Sequence, residues 1–250
     1  MLFWLFCILL KNKLPILDLM QLSEVKARPA VVLLDVYETL LDMTVIEKRV
    51  NQILDNKRGY FIWFELFMQY CFVDNSIVQF NDFASIAYAT MQMAGRTLGE
   101  EIDEHDINEV LELLKHLPVH EGVQEGLSQL NDAGFRIAAL TNSPERTVTE
   151  RMERTGLISY FEKVMSAEHV RKYKPSLEVY EWAIAKLNVQ PGEVLLVSAH
   201  GWDLAGAVNA GMQTAYLKQP KQMLYPLAPK PDYICTSITD LAGQLKAVHS

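Results

Sequence analysis

Several short apolar runs in this sequence end in polar side chains that could do chemistry together. The set consists of Asp35, Thr141, Asn142, Lys174, Ser198 and Asp203. A buried carboxylate needs a cation or hydrogen-bond donors to stay ionised; Lys174 is the natural partner of Asp35, and Thr141 and Asn142 offer neutral donors. The pattern therefore predicts a ligand or reaction site built around the Asp35 carboxylate. Two structural interpretations stay open, because Asp is a good helix N-cap and Asp–Lys pairs are often only structural.

Parallel strands are the elements that would bring these residues together. The predicted strands are residues 31–34, 136–140, 163–166, 194–198, 214–217 and 233–235. Helical patterns of roughly ten residues separate most of them, which predicts parallel βαβ units with right-handed crossovers. The carboxyl ends of such strands meet at one edge of the sheet, where open α/β sheets bind ligands.

Residues 44–117 carry helical periodicity almost throughout and interrupt the alternation of strands and helices. Their central run, residues 60–70, is too rich in aromatic residues for an exposed helix, so we expect it to pack against other helices or line a pocket. The sequence therefore predicts a doubly wound α/β core, residues 29–43 and 118–250, with an α-helical cap at 44–117. A cap in that position can exclude water from a reaction.

The amino-terminal residues 1–28 are predicted to lie outside the fold as an apolar extension. Residues 1–10 are strongly apolar but too short to span a bilayer, and they lack the features of a secretory signal. We therefore expect no membrane span, with a membrane-surface anchor as the alternative.

Charge and cysteine content limit the classes of partner and compartment. The formal net charge of −8 argues against binding to nucleic acid or to an anionic membrane. Cys7, Cys71 and Cys235 are too few and scattered for a disulfide framework, which favours a reducing, cytoplasmic location. No Cys/His spacing indicates a zinc site.

Four motifs of this sequence resemble those of the haloacid dehalogenase superfamily, and more narrowly its L-2-haloacid dehalogenase (type II) group. The resemblance runs from about residue 31 to the carboxyl terminus. The motifs are residues 35–40 (DVYETL), residues 140–143 (LTNS), residues 173–175 (YKP) with Tyr180, and residues 197–203 (VSAHGWD). The resemblance implies a Rossmann-like core with an inserted helical cap.

The resemblance also implies a reaction and the residues that perform it. Asp35 would displace halide from a small 2-haloalkanoic acid and form an aspartyl ester, which water then hydrolyses. Lys174 would stabilise the nucleophile, and Thr141 with Asn142 would bind the substrate carboxylate or the halide. Asp203, helped by Ser198, would position the water. The substrate-binding residues would be Tyr37, Phe64, Tyr180, His200 and Trp202, and no cofactor would be needed.

Two positions argue against phosphatase chemistry, which is common in the same superfamily. The phosphatases carry an acid two residues after the nucleophile, where this sequence has Tyr37, a poor acid because its reference pKa is about 10. Ser198 stands where phosphatases often hold another acid, so a Mg²⁺ site would be short of carboxylates. A halide leaving group needs no proton.

Three positions depart from the type II pattern. Phe64 replaces an Arg that receives the halide, and Arg58 or Arg96 of the cap could compensate for it. His200 stands where Asn is usual and could titrate. Glu38 stands where Gly is usual. The alternatives to a dehalogenase are therefore a Mg²⁺-dependent phosphatase and a catalytically weak ligand-binding protein. The expected partner is a small carboxylate, and a homodimer through the cap is a further expectation.

Overall fold

Six parallel strands form one sheet in the computed structural model, which describes residues 27–249. The strand order is β3-β2-β1-β4-β5-β6, with β1 at the centre beside β2 and β4. The strands are β1 (Val31–Leu34), β2 (Arg136–Thr141), β3 (Lys163–Ser166), β4 (Val194–Ser198), β5 (Gln213–Leu217) and β6 (Tyr233–Cys235). The order reverses direction at β1, which is where this class of sheet opens a crevice for ligands.

Both faces of the sheet are covered, which confirms the predicted doubly wound α/β fold. The four residues of β1 are fully buried and alternate between two cores, since Val32 and Leu34 face one and Val31 and Leu33 face the other. This explains why β1 is continuously apolar rather than alternating. The core helices are α5 (Val123–Asp132), α6 (Glu145–Arg154), α7 (Leu177–Leu187), α8 (Gly201–Asn209) and α9 (Ile238–His249).

Four further helices lie between β1 and α5 in the chain. They are α1 (Thr44–Ile53), α2 (Gly59–Ser76), α3 (Phe83–Leu98) and α4 (Glu104–Leu113), followed by a 3₁₀ turn at Leu114–His116. Aromatic packing joins α2 to α3, with the rings of Phe67 and Phe83 4.5 Å apart at their centroids. These helices occupy the range predicted for the cap, and their status as a separate domain stays a prediction.

Asn75 at the end of α2 fixes this helical layer to the core. Its side-chain amide donates to the carbonyl of Tyr173 at 2.8 Å, and its carbonyl oxygen accepts from the Tyr173 amide at 2.9 Å. The Tyr173 hydroxyl in turn donates to the carbonyl of Asn81. The cap is therefore tied directly to the residue that precedes Lys174.

No helix within residues 27–249 is long and apolar enough to cross a membrane. Residues 1–26 of the predicted apolar extension lie outside the described part of the chain, as does Cys7. The other two cysteines, Cys71 and Cys235, are free and buried.

Candidate active site

A cavity of about 570 Å³ lies between the carboxyl edge of the sheet and the helical cap. The cap contributes Trp63, Phe64 and Phe67 from α2, together with residues of α3 and α4. Eight of the residues predicted for the site line this cavity: Asp35, Tyr37, Phe64, Thr141, Asn142, Lys174, His200 and Trp202. A cavity of this size at the switch point of an α/β sheet is the usual place for a small-molecule site.

Asp35 and Lys174 form a buried ion pair at the edge of the sheet. The Lys174 ammonium lies 2.9 Å from Oδ1 of Asp35 and 2.7 Å from Oδ2 of Asp203, and it also donates to the carbonyl of Leu140 at 3.0 Å. The side chain of Lys174 is only 1% exposed. Three acceptors thus satisfy its three donors, which is the condition for keeping a buried ammonium charged.

This arrangement keeps both partners ionised. Burial alone would raise the pKa of Asp35, but the Lys174 ammonium and the bond from His200 hold it well below its usual range. Burial likewise opposes the charge of Lys174, and the carboxylates of Asp203 and Asp35 outweigh it, so the pKa of Lys174 is raised. Asp35 therefore presents a carboxylate rather than a carboxylic acid.

The second oxygen of Asp35 is surrounded by different donors. Oδ2 accepts from the hydroxyl of Thr39 at 2.9 Å and from Nδ1 of His200 at 3.2 Å, and the hydroxyl of Ser198 lies 3.5 Å away. Thr39 and Ser198 are themselves fixed, because each hydroxyl accepts a backbone amide of the loop after β4. The two carboxylate oxygens thus have separate environments.

His200 connects Asp35 to a second carboxylate. Its Nε2 lies 2.9 Å from Oε2 of Glu38, which also accepts from the side-chain amide of Gln222, while the other Glu38 oxygen accepts from the hydroxyl of Tyr60 at 2.9 Å. Burial alone would lower the pKa of His200, but its bonds to Asp35 and Glu38 raise it to about 10. His200 is therefore an imidazolium at neutral pH, with both nitrogens donating.

Aromatic rings enclose this imidazolium. The ring of His200 stacks on Trp202 with centroids 5.0 Å apart and on Phe64 with centroids 6.0 Å apart. Aromatic faces attract a cation, most strongly where water is excluded. Phe64 carries no charge, but its ring packs against the charged ring of His200.

Thr141 and Asn142 lie at the end of β2 on the cavity wall. Asn142 is held by the backbone of Lys174, whose amide donates to Oδ1 at 2.7 Å, and the Thr141 hydroxyl accepts from the amide of Ser143. Their positions at the strand end match the sequence prediction, while their role in binding substrate stays a prediction.

Three predicted site residues lie behind the cavity wall instead of on it. Asp203 is fully buried, and its two oxygens accept from Lys174 and from the hydroxyl of Tyr180 at 2.6 Å. Tyr180 lies on α7 and is fully buried, so its hydroxyl contacts Asp203 and not the cavity. Ser198 reaches toward Oδ2 of Asp35. Their geometry favours positioning of Lys174 and Asp35 over contact with substrate.

Thr39, Gln222 and Arg151 also belong to this region, and the sequence analysis did not select them. Thr39 lies four residues after Asp35, a spacing that could have suggested it. Gln222 lies in a loop with no periodic pattern, so nothing in the sequence indicated its contact with Glu38. Arg151 lies on α6 and lines the cavity.

The donor set does not fit a Mg²⁺ ion of the phosphatase kind. Mg²⁺ requires six oxygen ligands in near-octahedral geometry, with one or two carboxylates among them that are free to coordinate it. Here the Lys174 ammonium bridges Asp35 and Asp203, and the neighbouring positions hold Tyr37 and Ser198. Within the described residues, no three His, Cys, Asp or Glu side chains group into a metal site.

Comparison with known proteins finds relatives of two kinds, dehalogenases and phosphatases. The chain is 26% identical over 198 residues to (S)-2-haloacid dehalogenase 4A of Burkholderia cepacia, which covers 78% of this chain and 86% of the relative. It is 31% identical over 129 residues to a phosphoglycolate phosphatase of Vibrio vulnificus, covering 51% of this chain and 56% of that protein.

The fold is similar to that of a solved structure. This is the L-2-haloacid dehalogenase from Xanthobacter autotrophicus with chloropropionic acid covalently bound, with a TM-score of 0.77 and 22% identity. The match covers 87% of this chain and 98% of that one. Residues 35–217 match the family described as haloacid dehalogenase-like hydrolase. This chain therefore belongs to the haloacid dehalogenase-like hydrolases, as its motifs predict.

Proposed function

We propose that this protein is a dehalogenase of the type II kind, which hydrolyses small 2-halogenated carboxylic acids through an ester on Asp35. The observation that carries the proposal is the ionised Asp35 carboxylate, held on one oxygen by Lys174 and facing a cavity under the helical cap. The names of the relatives, (S)-2-haloacid dehalogenases, support the same reaction.

In the first step, an oxygen of Asp35 attacks the carbon that bears the halogen. The new carbon–oxygen bond forms as the carbon–halogen bond breaks, and the halide leaves with the electron pair. The negative charge moves from Asp35 to the halide, so no proton is transferred. This is why Tyr37 is tolerated two residues after the nucleophile, where an alkoxide leaving group would need an acid.

In the second step, water attacks the Cγ carbon of the Asp35 ester. Charge then develops on the carbonyl oxygen, which is Oδ2 if Oδ1 attacked in the first step. Thr39, Ser198 and the His200 imidazolium surround Oδ2 and would stabilise this oxyanion. One proton of the water goes to the departing 2-hydroxy acid and the other to solvent, so Asp35 returns as a carboxylate.

Glu38 has a defined part in this proposal. Esterification removes the charge of Asp35, which is one of the two groups that keep His200 protonated. The Glu38 carboxylate, 2.9 Å from Nε2, remains and holds the cation in place for the second step. Glu38 itself has φ +59°, in the left-handed region that favours Gly.

We also propose that the reaction requires no metal. Lys174 supplies the cation between Asp35 and Asp203, and a halide needs no Lewis acid to leave. The phosphatase alternative has some support from the similarity to phosphoglycolate phosphatases. A phosphatase would need a general acid at position 37 and a second carboxylate at position 198, where this chain has Tyr37 and Ser198.

Halide and phosphate release separate these alternatives. The protein would be incubated with 2-chloropropionate, 2-bromopropionate and a set of phosphate esters, with and without EDTA. We expect halide release that EDTA leaves unchanged and that disappears in Asp35→Asn. Phosphate release that requires Mg²⁺ would replace the proposal with a phosphatase. No release of either product, with a ligand still raising the melting temperature, would indicate a binding protein.

A further inference from the structure

A buried arginine without a partner lines the same cavity. Arg151 is only 6% exposed, and its Nε and Nη1 donors have no hydrogen-bond partner among the described residues. Its guanidinium lies over the ring of Tyr37, 5.2 Å from the centroid. Buried charges in proteins are normally paired, so an unpaired one at a ligand cavity needs an explanation.

The other cations of the cavity wall are already paired. Lys174 contacts two carboxylates, His200 contacts Asp35 and Glu38, and Lys115 contacts Glu112 at 2.5 Å. Among the described residues of the wall, Arg151 is the cation that no carboxylate neutralises. Burial and the nearby Arg154 lower its pKa to about 10, which still leaves it charged at neutral pH.

Arg151 lies on α6, the helix that follows the strand end with Thr141 and Asn142. Residues 142–144 precede the first turn of α6 and line the cavity. Thr147 and Arg151, which lie about one helical turn apart on α6, line it as well. The cavity therefore extends along α6, away from the end of β2.

The cavity is also larger than a three-carbon haloacid requires. With about 30 Å³ for each non-hydrogen atom, as for liquid water, 2-chloropropionate would fill roughly 180 Å³. This is about one third of the 570 Å³ available. Leu111 and Leu114 supply apolar surface to the same cavity, suited to a methylene chain.

We propose that Arg151 binds a second carboxylate of the substrate, so that the protein acts on 2-halogenated dicarboxylic acids. This inference rests on the proposed function and adds the substrate class. The reacting end would lie at Asp35 and the distal carboxylate at the guanidinium of Arg151, which lines the cavity and belongs to the class of group that binds carboxylates well. Arg58 and Arg96, the two cap cations considered as replacements for a halide-binding Arg, do not line the cavity.

Binding of unreactive acids tests the proposal independently of catalysis. Succinate, glutarate and adipate would each be compared with the monoacid of equal length by calorimetry and thermal unfolding. We expect wild-type protein to bind at least one diacid about tenfold to a hundredfold more tightly than its monoacid, and Arg151→Gln to lose this preference. Arg146→Gln is the matched control, because Arg146 is exposed on the same helix.

Halide release from 2-bromoadipate and 2-bromohexanoate extends the test to turnover. The ratio of their kcat/KM values should favour the diacid in wild type and in Arg146→Gln, and should fall in Arg151→Gln. Arg151→Lys keeps the charge but loses the planar guanidinium, so its ratio of kcat/KM values should be intermediate. If Arg151→Gln does not fold, the lysine variant replaces it in the test. Diacid binding that depends on Arg151, without any halide release, would keep the carboxylate site at Arg151 and remove the proposed function.

Two results would overturn the inference. Equal binding of diacids and monoacids by the wild-type protein, or no binding of either, would leave Arg151 without the proposed ligand. Stabilisation by bromide alone, lost in Arg151→Gln without a diacid preference, would identify a halide site instead.

Discussion

Nδ1 of His200 lies 3.2 Å from Oδ2 of Asp35, so the nucleophile has a cation at each of its two oxygens. Lys174 is at the other oxygen, at 2.9 Å. One cation keeps the carboxylate ionised for the attack, and the other is positioned for the oxyanion that forms when the ester is hydrolysed. The two cations can therefore be separated by experiments that resolve the two steps.

Loss of His200 or of Glu38 should slow the second step more than the first. We expect His200→Gln and Glu38→Gln to lower the steady-state rate by about tenfold to a thousandfold, because one oxyanion donor contributes on that order. Rapid-mixing measurements should then show a burst of halide equal to one per active site, followed by slow turnover. A uniform decrease without a burst would contradict this assignment.

Loss of Lys174 should destabilise the fold as well as stop the reaction. Lys174→Met leaves the carboxylate of Asp203 buried without a cation and that of Asp35 with His200 alone, which costs about 3–5 kcal/mol of unfolding free energy. Urea denaturation at pH 7 measures this loss. The exposed Lys186→Met should change stability by less than about 0.5 kcal/mol.

The pH dependence of the Lys174→Met variant gives a second check. Without the ammonium, the Asp35 carboxyl loses the main cation that offsets its burial, so its pKa rises and it binds protons more readily as the pH falls. The deficit in unfolding free energy should therefore be smaller near pH 5 than at pH 7. A deficit independent of pH would show that packing, rather than charge, explains the loss.

The stability of the wild-type protein should also depend on pH through His200. Its pKa in the folded protein is about 10, raised above the ordinary value of 6.5 by Asp35 and Glu38. Its contribution is therefore complete below about pH 6.5 and is lost as the pH rises toward 10. The difference in unfolding free energy between wild type and His200→Gln should narrow over that range, and a constant difference would contradict it.

Tyr180 and Asp203 should differ in the size of their effects. Tyr180→Phe removes one hydrogen bond to Asp203 and should cost about 1–2 kcal/mol of stability, with a few-fold loss of turnover. Asp203→Asn removes a charge beside Lys174 and should reduce kcat much more, with little change in KM, because neither residue lines the cavity. Measurement of kcat and KM for both variants checks this, and a large rise in KM alone would contradict it.

The sequence predicted the framework of the site better than its details. Residues such as Val31–Leu34 are fully buried and apolar, so their pattern reports the strand directly, and the polar residue that follows must reach the sheet edge. The roles of Tyr180 and Asp203 depend on which side of the cavity wall they occupy, and strand periodicity does not contain that information.

Two features depended on contacts between distant parts of the chain. Gln222 reaches Glu38 across 184 residues, from a loop without regular structure. Arg151 is one of several charged residues on a strongly polar helix, and only the packed structure distinguishes it from exposed neighbours such as Arg146. The local sequence pattern alone does not distinguish Arg151 from Arg146.

Transfer of ¹⁸O from labelled water is the most direct test of the ester on Asp35. One turnover would be run in H₂¹⁸O with enzyme in excess over 2-bromopropionate, followed by mass analysis of the peptide that contains Asp35. The proposed mechanism predicts one ¹⁸O atom in the Asp35 carboxylate and none in the 2-hydroxy acid. Label in the hydroxy acid with none in Asp35 would mean that water attacks the substrate directly, and it would contradict the account.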